Sequence, residues 1–399
     1  MKVPIDWNRY LEDVARANKL ICNIDLVTDN SLTTAERAQY KAEAKIFRAM
    51  VMFDMVRLWG DFPVITTVAD DITSENIDEV YPQYFPKQNT ELEAYQQIEK
   101  DLLDAVLYAP DNTPGNKTLF SKSVARTLLA KIYAEKPLRD YTKVIQYCDE
   151  VKADGFDLVD DFSDLFGMNA AGTDAKMRNT KESILEAQFT SGAGNWCTWM
   201  FGRDLVNWNN NFTWAKWVTP SRDLISAFKQ EGDEVRFKES IVYYDCNWSN
   251  YYPSDNYPFM YKCRSANSSI IKYRYADVLL LKAEALIMQD TPDLEGAADI
   301  IDEVRDRAKL GALPTSVRSN KNVLLNALLK ERRLELAFEG QRWFDLVRLD
   351  KVEEVMNAVY AKDSGRKAQI YTFDKNSYRL PIPQSVIDAN DKIHQNPGY

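Results

Sequence analysis

Apolar residues recur at helical spacing through most of this chain. Tyr10, Val14, Ala17 and Ile21 fall on one face of the stretch from Trp7 to Leu26, which predicts a helix. From Thr33 to Trp59 the pattern is longer, with Ala44, Phe47, Met50, Val51, Met55 and Leu58 as its stripe. Thr33 or Thr34 supplies an N-cap, Glu36 sits in the first turn, and Gly60 with Pro63 stops the run. Val64 to Asn89 is a long connection containing Pro82 and Pro86, and connections of that length are often functional. Helices are predicted again over Thr90 to Leu107, Ser121 to Glu135 and Tyr141 to Ala153. The succession reads as antiparallel helix pairs of tetratricopeptide-like packing, although no clean period of about 34 residues is present.

The pattern changes after Asp154. Asp157, Asp160, Asp161 and Asp164 lie in a short turn-rich stretch whose spacing is not that of an EF-hand loop. They read as solvated acids, with a structural calcium there left open. Ser183 to Thr190 alternates like a strand. From Trp196 to Tyr261 the chain is crowded with aromatics and interleaved with Gly and Asn, so it reads as irregular loop apart from a helix over Pro220 to Gln230. Helices return at Ile270 and run to Met288, then from Asp293 or Leu294 to Gly311, Asn322 to Glu339 and Trp343 to Tyr360. The tail from Tyr378 to Tyr399 is expected to be extended and packed, because Leu380, Ile382, Val386 and Ile387 need burial. Three parts are expected: N-terminal helical pairs (1–154), an aromatic-rich ligand-binding lobe (155–268), and C-terminal pairs with the tail (269–399).

The hairpin from Leu328 to Leu349 organises the second set of pairs. Leu328, Leu329, Leu336 and Ala337 form its apolar stripe, and Gly340 supplies the left-handed residue that ends a helix. Trp343, Phe344, Leu346 and Val347 restart an apolar face. Glu331 and Glu335 lie four apart with Arg332 three before Glu335, so opposite charges are expected to meet on the other face. These residues read as interhelical ion pairs rather than catalytic groups.

Composition narrows the chemistry. The chain has 399 residues, a net charge of −10 and one histidine. An acidic balance argues against nucleic-acid binding and, less directly, against the basic patch that anionic membranes attract. With His394 alone, no two-histidine metal site can be built, and a triad would depend on a residue in the tail. Cys22, Cys148, Cys197, Cys246 and Cys263 show no CxxC pairing and read as buried thiols. No apolar run reaches the length of a membrane span, and no signal peptide opens the chain. No catalytic constellation, metal site or phosphate loop stands out.

The aromatic segment is the candidate binding chemistry. Trp196, Trp199, Trp208, Trp214, Trp217 and Trp248 lie in it, with Tyr243, Tyr244, Tyr251, Tyr252, Tyr257 and Tyr261. A pyranose stacks its C–H face on an aromatic ring, while amides and hydroxyls read the sugar's hydroxyl groups. Trp196, Trp199, Trp208 and Asn209, flanked by Gly and Asn, are the leading candidates, followed by Trp248, Tyr251 and Tyr252. Trp214 and Trp217 are expected in the core. Tyr81 and Tyr84 add candidates from the long Val64–Asn89 connection.

Five motifs resemble one family. Lys41 to Ile65 (KAEAKIFRAMVMFDMVRLWGDFPVI), Lys272 to Ile287 (KYRYADVLLLKAEALI), Ala297 to Ala308, the hairpin ERRLELAFEGQRWFDL and the tail LPIP…QNPGY are similar, in order, to segments of the SusD/RagB family. One departure is Val386, where the family often has Glu. The resemblance implies a mostly α fold, an α-α superhelix of tetratricopeptide-like pairs with an irregular, loop-rich insertion lobe. It implies a lipid-anchored protein on the extracellular face of the outer membrane, acting as the lid of a SusC-like TonB-dependent transporter and capturing oligosaccharide or polysaccharide. RagB-like members take peptides, so a peptide-binding lid is the alternative. No cofactor is implied. The lipid anchor and an initial segment of the family are expected to lie outside this chain.

Overall fold

In the computed structural model the described residues are 6–190, 194–195, 219–245, 252–253, 255–362 and 372–399. They divide into two compact units, one of residues 1–112, 119–143 and 373–399, the other of residues 113–118 and 144–372. Helix dominates both.

The first unit is built on α1 (Trp7–Asn23), α2 (Thr34–Trp59), α3 (Glu91–Tyr108) and α4 (Lys122–Ala134). Thr33 caps α2 in a reciprocal box: its hydroxyl accepts from Glu36 N, and its own N–H donates to Glu36 Oε2 at 2.8 Å. Thr90 and Glu93 repeat the device at α3. Helix α2 packs on α1, α3 and α4. Its apolar surface is therefore a ring rather than the expected stripe. Ile46, Ala49, Met52, Phe53 and Val56 are fully buried, whereas Ala44, Phe47, Met50 and Leu58 are half-buried. Arg48 lies in this ring and grips Asp101 of α3 through Nε at 2.8 Å and Nη2 at 2.7 Å.

The tail closes this unit. Leu380 N donates to Leu58 O at 2.7 Å, Asn396 Nδ2 donates to Trp59 O at 2.8 Å, and Arg379 pairs with Glu91 at 2.7 Å. Ile382 is buried as expected, but Leu380, Val386 and Ile387 are only half-buried, and the tail is not extended throughout, since Gln384–Ala389 is a short helix. His394 is exposed.

The second unit takes the larger part of α5 (Tyr141–Ala153) and two small antiparallel sheets, β1 (Ser183–Ala187) with β4 (Ile270–Arg274), and β2 (Ile241–Tyr244) with β3 (Tyr257–Met260). Its longer helices among the described residues are α6 (Arg222–Glu231), α7 (Glu234–Ser240), α8 (Tyr275–Met288), α9 (Leu294–Arg307), α10 (Lys321–Glu335), α11 (Arg342–Arg348) and α12 (Val352–Lys362). Helix α8 packs on both α9 and α10. Two expectations are corrected. Residues 270–274 are strand, because the short IIKYR run finds β1 as a partner. The Trp343–Tyr360 helix is two helices, broken where Asp350 takes a left-handed φ of +55°.

The hairpin turns through Phe338 (φ +66°) and Gly340 (φ +75°). Its Glu331, Arg332, Glu335, Asp345 and Arg348 are buried, and Arg332 does not meet Glu335. Arg332 reaches Asp277 at 2.7 Å and Asp345 at 2.9 Å. Glu335 is ringed by Arg274 and Arg307, each at 2.5 Å, and Arg236 at 3.0 Å. Burial pushes its carboxyl up, but Arg307, Arg274 and Arg236 outweigh burial and hold it well below the ordinary range. The expected ion pairs are present, and they join α10 to β4, α7, α8, α9 and α11. Cys148 and Cys263 are buried, whereas Cys22 is exposed, contrary to expectation. Cys197 and Cys246 lie outside the described residues.

Candidate functional site

Of the candidate ligand residues, Trp196, Trp199, Trp208, Asn209, Trp248 and Tyr251 lie outside the described residues, as do Trp214 and Trp217. Tyr81, Tyr84 and Tyr252 are described.

Tyr81 and Tyr84 sit on a projecting connection in the first unit. Its base is fixed by Asn89, whose N–H donates to Phe62 O at 3.0 Å and whose Oδ1 accepts from Val64 N at 3.0 Å. A helical turn, Ile77–Val80, runs into a 3-10 turn, Tyr81–Tyr84, with Val80 as the buried anchor. Tyr81 is 52% exposed and Tyr84 50%, well above what a core ring shows. The Tyr81 ring lies 4.9 Å from that of Phe85, and Tyr84 OH donates to Asp70 O at 3.1 Å. Their positions are thus fixed while their faces stay open. Val68, Ile72 and Ile77 are also exposed. At the foot of the connection a shallow groove of about 360 Å³ is lined by Asn89, Glu93, Gln96, Gln97 and Lys100. Amide and charged groups of this kind hydrogen-bond polyols. Sequence reasoning missed them; the Gln96-Gln97 pair near the start of a helix was the available signal.

Tyr252 belongs to the second unit and is half-buried. Its hydroxyl donates to Pro220 O at 2.8 Å, and its ring meets Tyr257 edge-on at 5.6 Å. The Arg222 guanidinium lies 5.2 Å from its centroid. The ring also packs on the cluster of Leu224, Ile225, Phe228 and Ile241. A groove of about 990 Å³ runs between α6, α10 and α12, lined by Arg222, Asp223, Arg333, Glu354 and Lys362 among others. Arg333 and Asp223 are paired across it at 2.6 Å. Three helices distant in sequence build this groove, so no local pattern announces it.

The acidic turn is matched by lysines. Lys181 lies 3.4 Å from Asp157 and 3.1 Å from Asp160, and Lys176 lies 3.1 Å from Asp161 and 2.7 Å from Asp164. The backbone N–H of Ser163, helped by Lys176, holds the Asp161 carboxyl down at about 2. Among the described residues no cluster of three or more His, Cys, Asp or Glu is arranged to hold a metal. No described helix is long and apolar enough to cross a membrane.

Residues 260–399 match a family model described as the SusD family, and residues 1–134 match one described as starch-binding associating with outer membrane. The chain is 28% identical to SusD-like protein P2 of Formosa agariphila, over 98% of this chain and 80% of that protein. It is 24% identical to the starch-binding protein SusD of Bacteroides thetaiotaomicron, over 94% of this chain and 76% of that one. Among solved structures, a laminarin-binding SusD-like protein superposes with a TM-score of 0.74 at 24% identity, covering 98% of this chain and 85% of that one. A SusD homologue from Bacteroides thetaiotaomicron superposes with a TM-score of 0.77 at 22% identity, with the same coverage. The helical fold is common to these proteins.

Proposed function

We propose, from the premise that this chain belongs to the SusD/RagB family, that it binds glycans at the outer membrane and does no chemistry on them. The observation that carries the reading is the match, over 94% of this chain, to a starch-binding protein. The laminarin-binding neighbour supports a β-glucan or starch-like ligand as the first class to test. In this reading the protein is lipid-anchored on the extracellular face and hands oligosaccharide or polysaccharide to a SusC-like TonB-dependent transporter. Trp196, Trp199, Trp208 and Asn209, with Trp248, Tyr251 and Tyr252, are proposed to contact the ligand, and Tyr81 and Tyr84 to supply an outlying platform. The exposed ring faces of Tyr81 and Tyr84 support that last assignment.

The test is a calorimetric binding screen of the purified protein against laminarin, starch, other soluble polysaccharides and peptides, run with Trp196→Ala, Trp199→Ala and Trp208→Ala. A saccharide that binds, and binds more weakly to a folded variant, supports the reading. Binding of peptides alone transfers the protein to the peptide-capturing members of the family.

A further inference from the structure

The groove between α6, α10 and α12 carries a charge opposite in sign to that of the chain. Its volume of about 990 Å³ is at the upper end of what small-molecule sites reach. Ser226 and Ala227 of α6 and Ala358 of α12 line it, and such short side chains leave room between the helices. Leu224, Ile225 and Phe228 of α6 turn the other way, into a core cluster. Ser226 and Gln230 lie four apart on α6 and are both exposed, so one polar face borders the groove.

Arg222, Lys330, Arg333 and Lys362 line the groove against two acids, Asp223 and Glu354, on a chain whose net charge is −10. Both acids are already held. Asp223 accepts from Arg333 Nη2 at 2.6 Å, and Glu354 lies 2.6 Å from Lys351. Among the described residues the Arg333 side chain makes only that one hydrogen bond, so most of its five-donor fork is left for a ligand. Lys362 is exposed at the end of α12 and makes no ion pair among the described residues. The Arg222 guanidinium is set 5.2 Å from the Tyr252 centroid, on a ring fixed by its hydrogen bond to Pro220 O.

Arg342 adds to this field. It donates to Leu329 O at 2.9 Å and has no carboxylate in ion-pair reach among the described residues. Burial and then Arg333 push its guanidinium down to about 10, against the pull of Asp345 and Asp223. An anion in the groove would relieve this crowding of positive charge. Like charges lining a cleft also concentrate their field within it.

We propose that this groove binds the anionic groups of an acidic polysaccharide, the carboxylate of a uronic acid or a sulfate ester. Arg222, Arg333 and Lys362 are the contacting cations, and Ser226 and Gln230 meet neighbouring hydroxyls. The class of polymer rests on the glycan-binding reading; the preference for negative charge rests on the groove alone.

The test compares polygalacturonate with its methyl ester and dextran sulfate with dextran, by calorimetry on the purified protein. Laminarin, starch and poly-glutamate are run beside them. At least one acidic polysaccharide should bind, and its uncharged counterpart should bind at least about tenfold more weakly. The pair that shows this tells carboxylate from sulfate. Lys362→Gln should weaken binding about threefold and Arg222→Gln with Lys362→Gln about tenfold, whereas Glu354→Gln should strengthen it about twofold. Lys362 and Glu354 are exposed, so these two single variants should keep the wild-type unfolding midpoint. Lys19→Gln, exposed on α1, alters the net charge as Lys362→Gln does and should leave binding unchanged. Acidic polysaccharides bound no better than their uncharged counterparts would overturn the proposal, and laminarin or starch binding in that case would leave the glycan reading standing. Affinity indifferent to both Lys362→Gln and Glu354→Gln would overturn it as well. Poly-glutamate bound through the groove, with no saccharide bound, would overturn the polysaccharide assignment and the glycan reading together.

Discussion

Arg332 grips Asp345 with two hydrogen bonds, Nε to Oδ2 and Nη2 to Oδ1, both at 2.9 Å, across the glycine turn of the hairpin. Neither side chain is more than 3% exposed, and Arg332 also reaches Asp277 at 2.7 Å. Removing one partner of a buried pair strands the other charge, which costs about 3–5 kcal/mol. Arg332→Ala should therefore lower the unfolding free energy by that amount in urea titration. Arg332→Lys should recover only part of it, because an ammonium cannot make the two-pronged contact.

Lys262 should make stability rise with alkalinity. Burial pushes its ammonium down to about 8, against the opposing pull of Glu339. An unfolded lysine titrates near about 10.4. Between those values the unfolded chain binds more protons than the folded one, so the Lys262 contribution is present above the upper value and lost as pH falls through 8. Wild type should gain up to about 3 kcal/mol relative to Lys262→Met between pH 8 and 10. Parallel chemical-denaturation curves over that window would refute the assignment.

Gly340→Ala tests backbone strain in isolation. The residue has φ +75°, and an added Cβ would meet nothing within 4 Å. The cost should be about 1 kcal/mol or slightly more, from conformation alone. Asn in the same position should cost less, and thermal unfolding midpoints would rank the three.

Tyr81→Ala and Tyr84→Ala should each weaken glycan binding about fivefold, the equivalent of about 1 kcal/mol of ring stacking. Both rings are half exposed, so the unfolding midpoint should stay unchanged. Affinity that survives the double change would remove this connection from the binding surface.

Calcium should not stabilise the Asp157–Asp164 turn. Lys176 and Lys181 each bridge two of its four carboxylates, and among the described residues no three acids there converge on a cation position. Thermal unfolding midpoints in calcium and in chelator should coincide, and a shift of several degrees would reveal a cation site.

What could be read in the chain was local. The Thr33 and Glu36 cap, the apolar stripe of Leu328 and Leu329, and the turn at Gly340 depend on neighbours within a few positions. The strand at 270–274 was misread because a short apolar run fits a helix start equally well. The break at Asp350 carries no Gly or Pro to mark it. Spacing matched Arg332 with the nearby Glu335, but the fold brings it Asp277, 55 residues away, instead. The same limit governs the candidate site: Tyr81 and Tyr84 could be named as rings on a long connection, whereas Tyr252 is packed against α6, Pro220 and Tyr257. The groove at Arg333 arises only from tertiary packing, whereas the one at Gln96 had the Gln96-Gln97 pair as its local sign.

The tail that ties Arg379 to Glu91 and Asn396 to Trp59 sets an order of events in the cell. Those contacts span 288 and 337 residues of sequence. Translation delivers residues 373–399 after every segment of the second unit has emerged. Until then the Leu58 and Trp59 carbonyls lack the partners they hold in the finished fold, and Ile382 is absent from its core. Multi-unit chains usually settle from the N-terminus during synthesis. Here the second unit has all its parts while the first still waits for its closing piece.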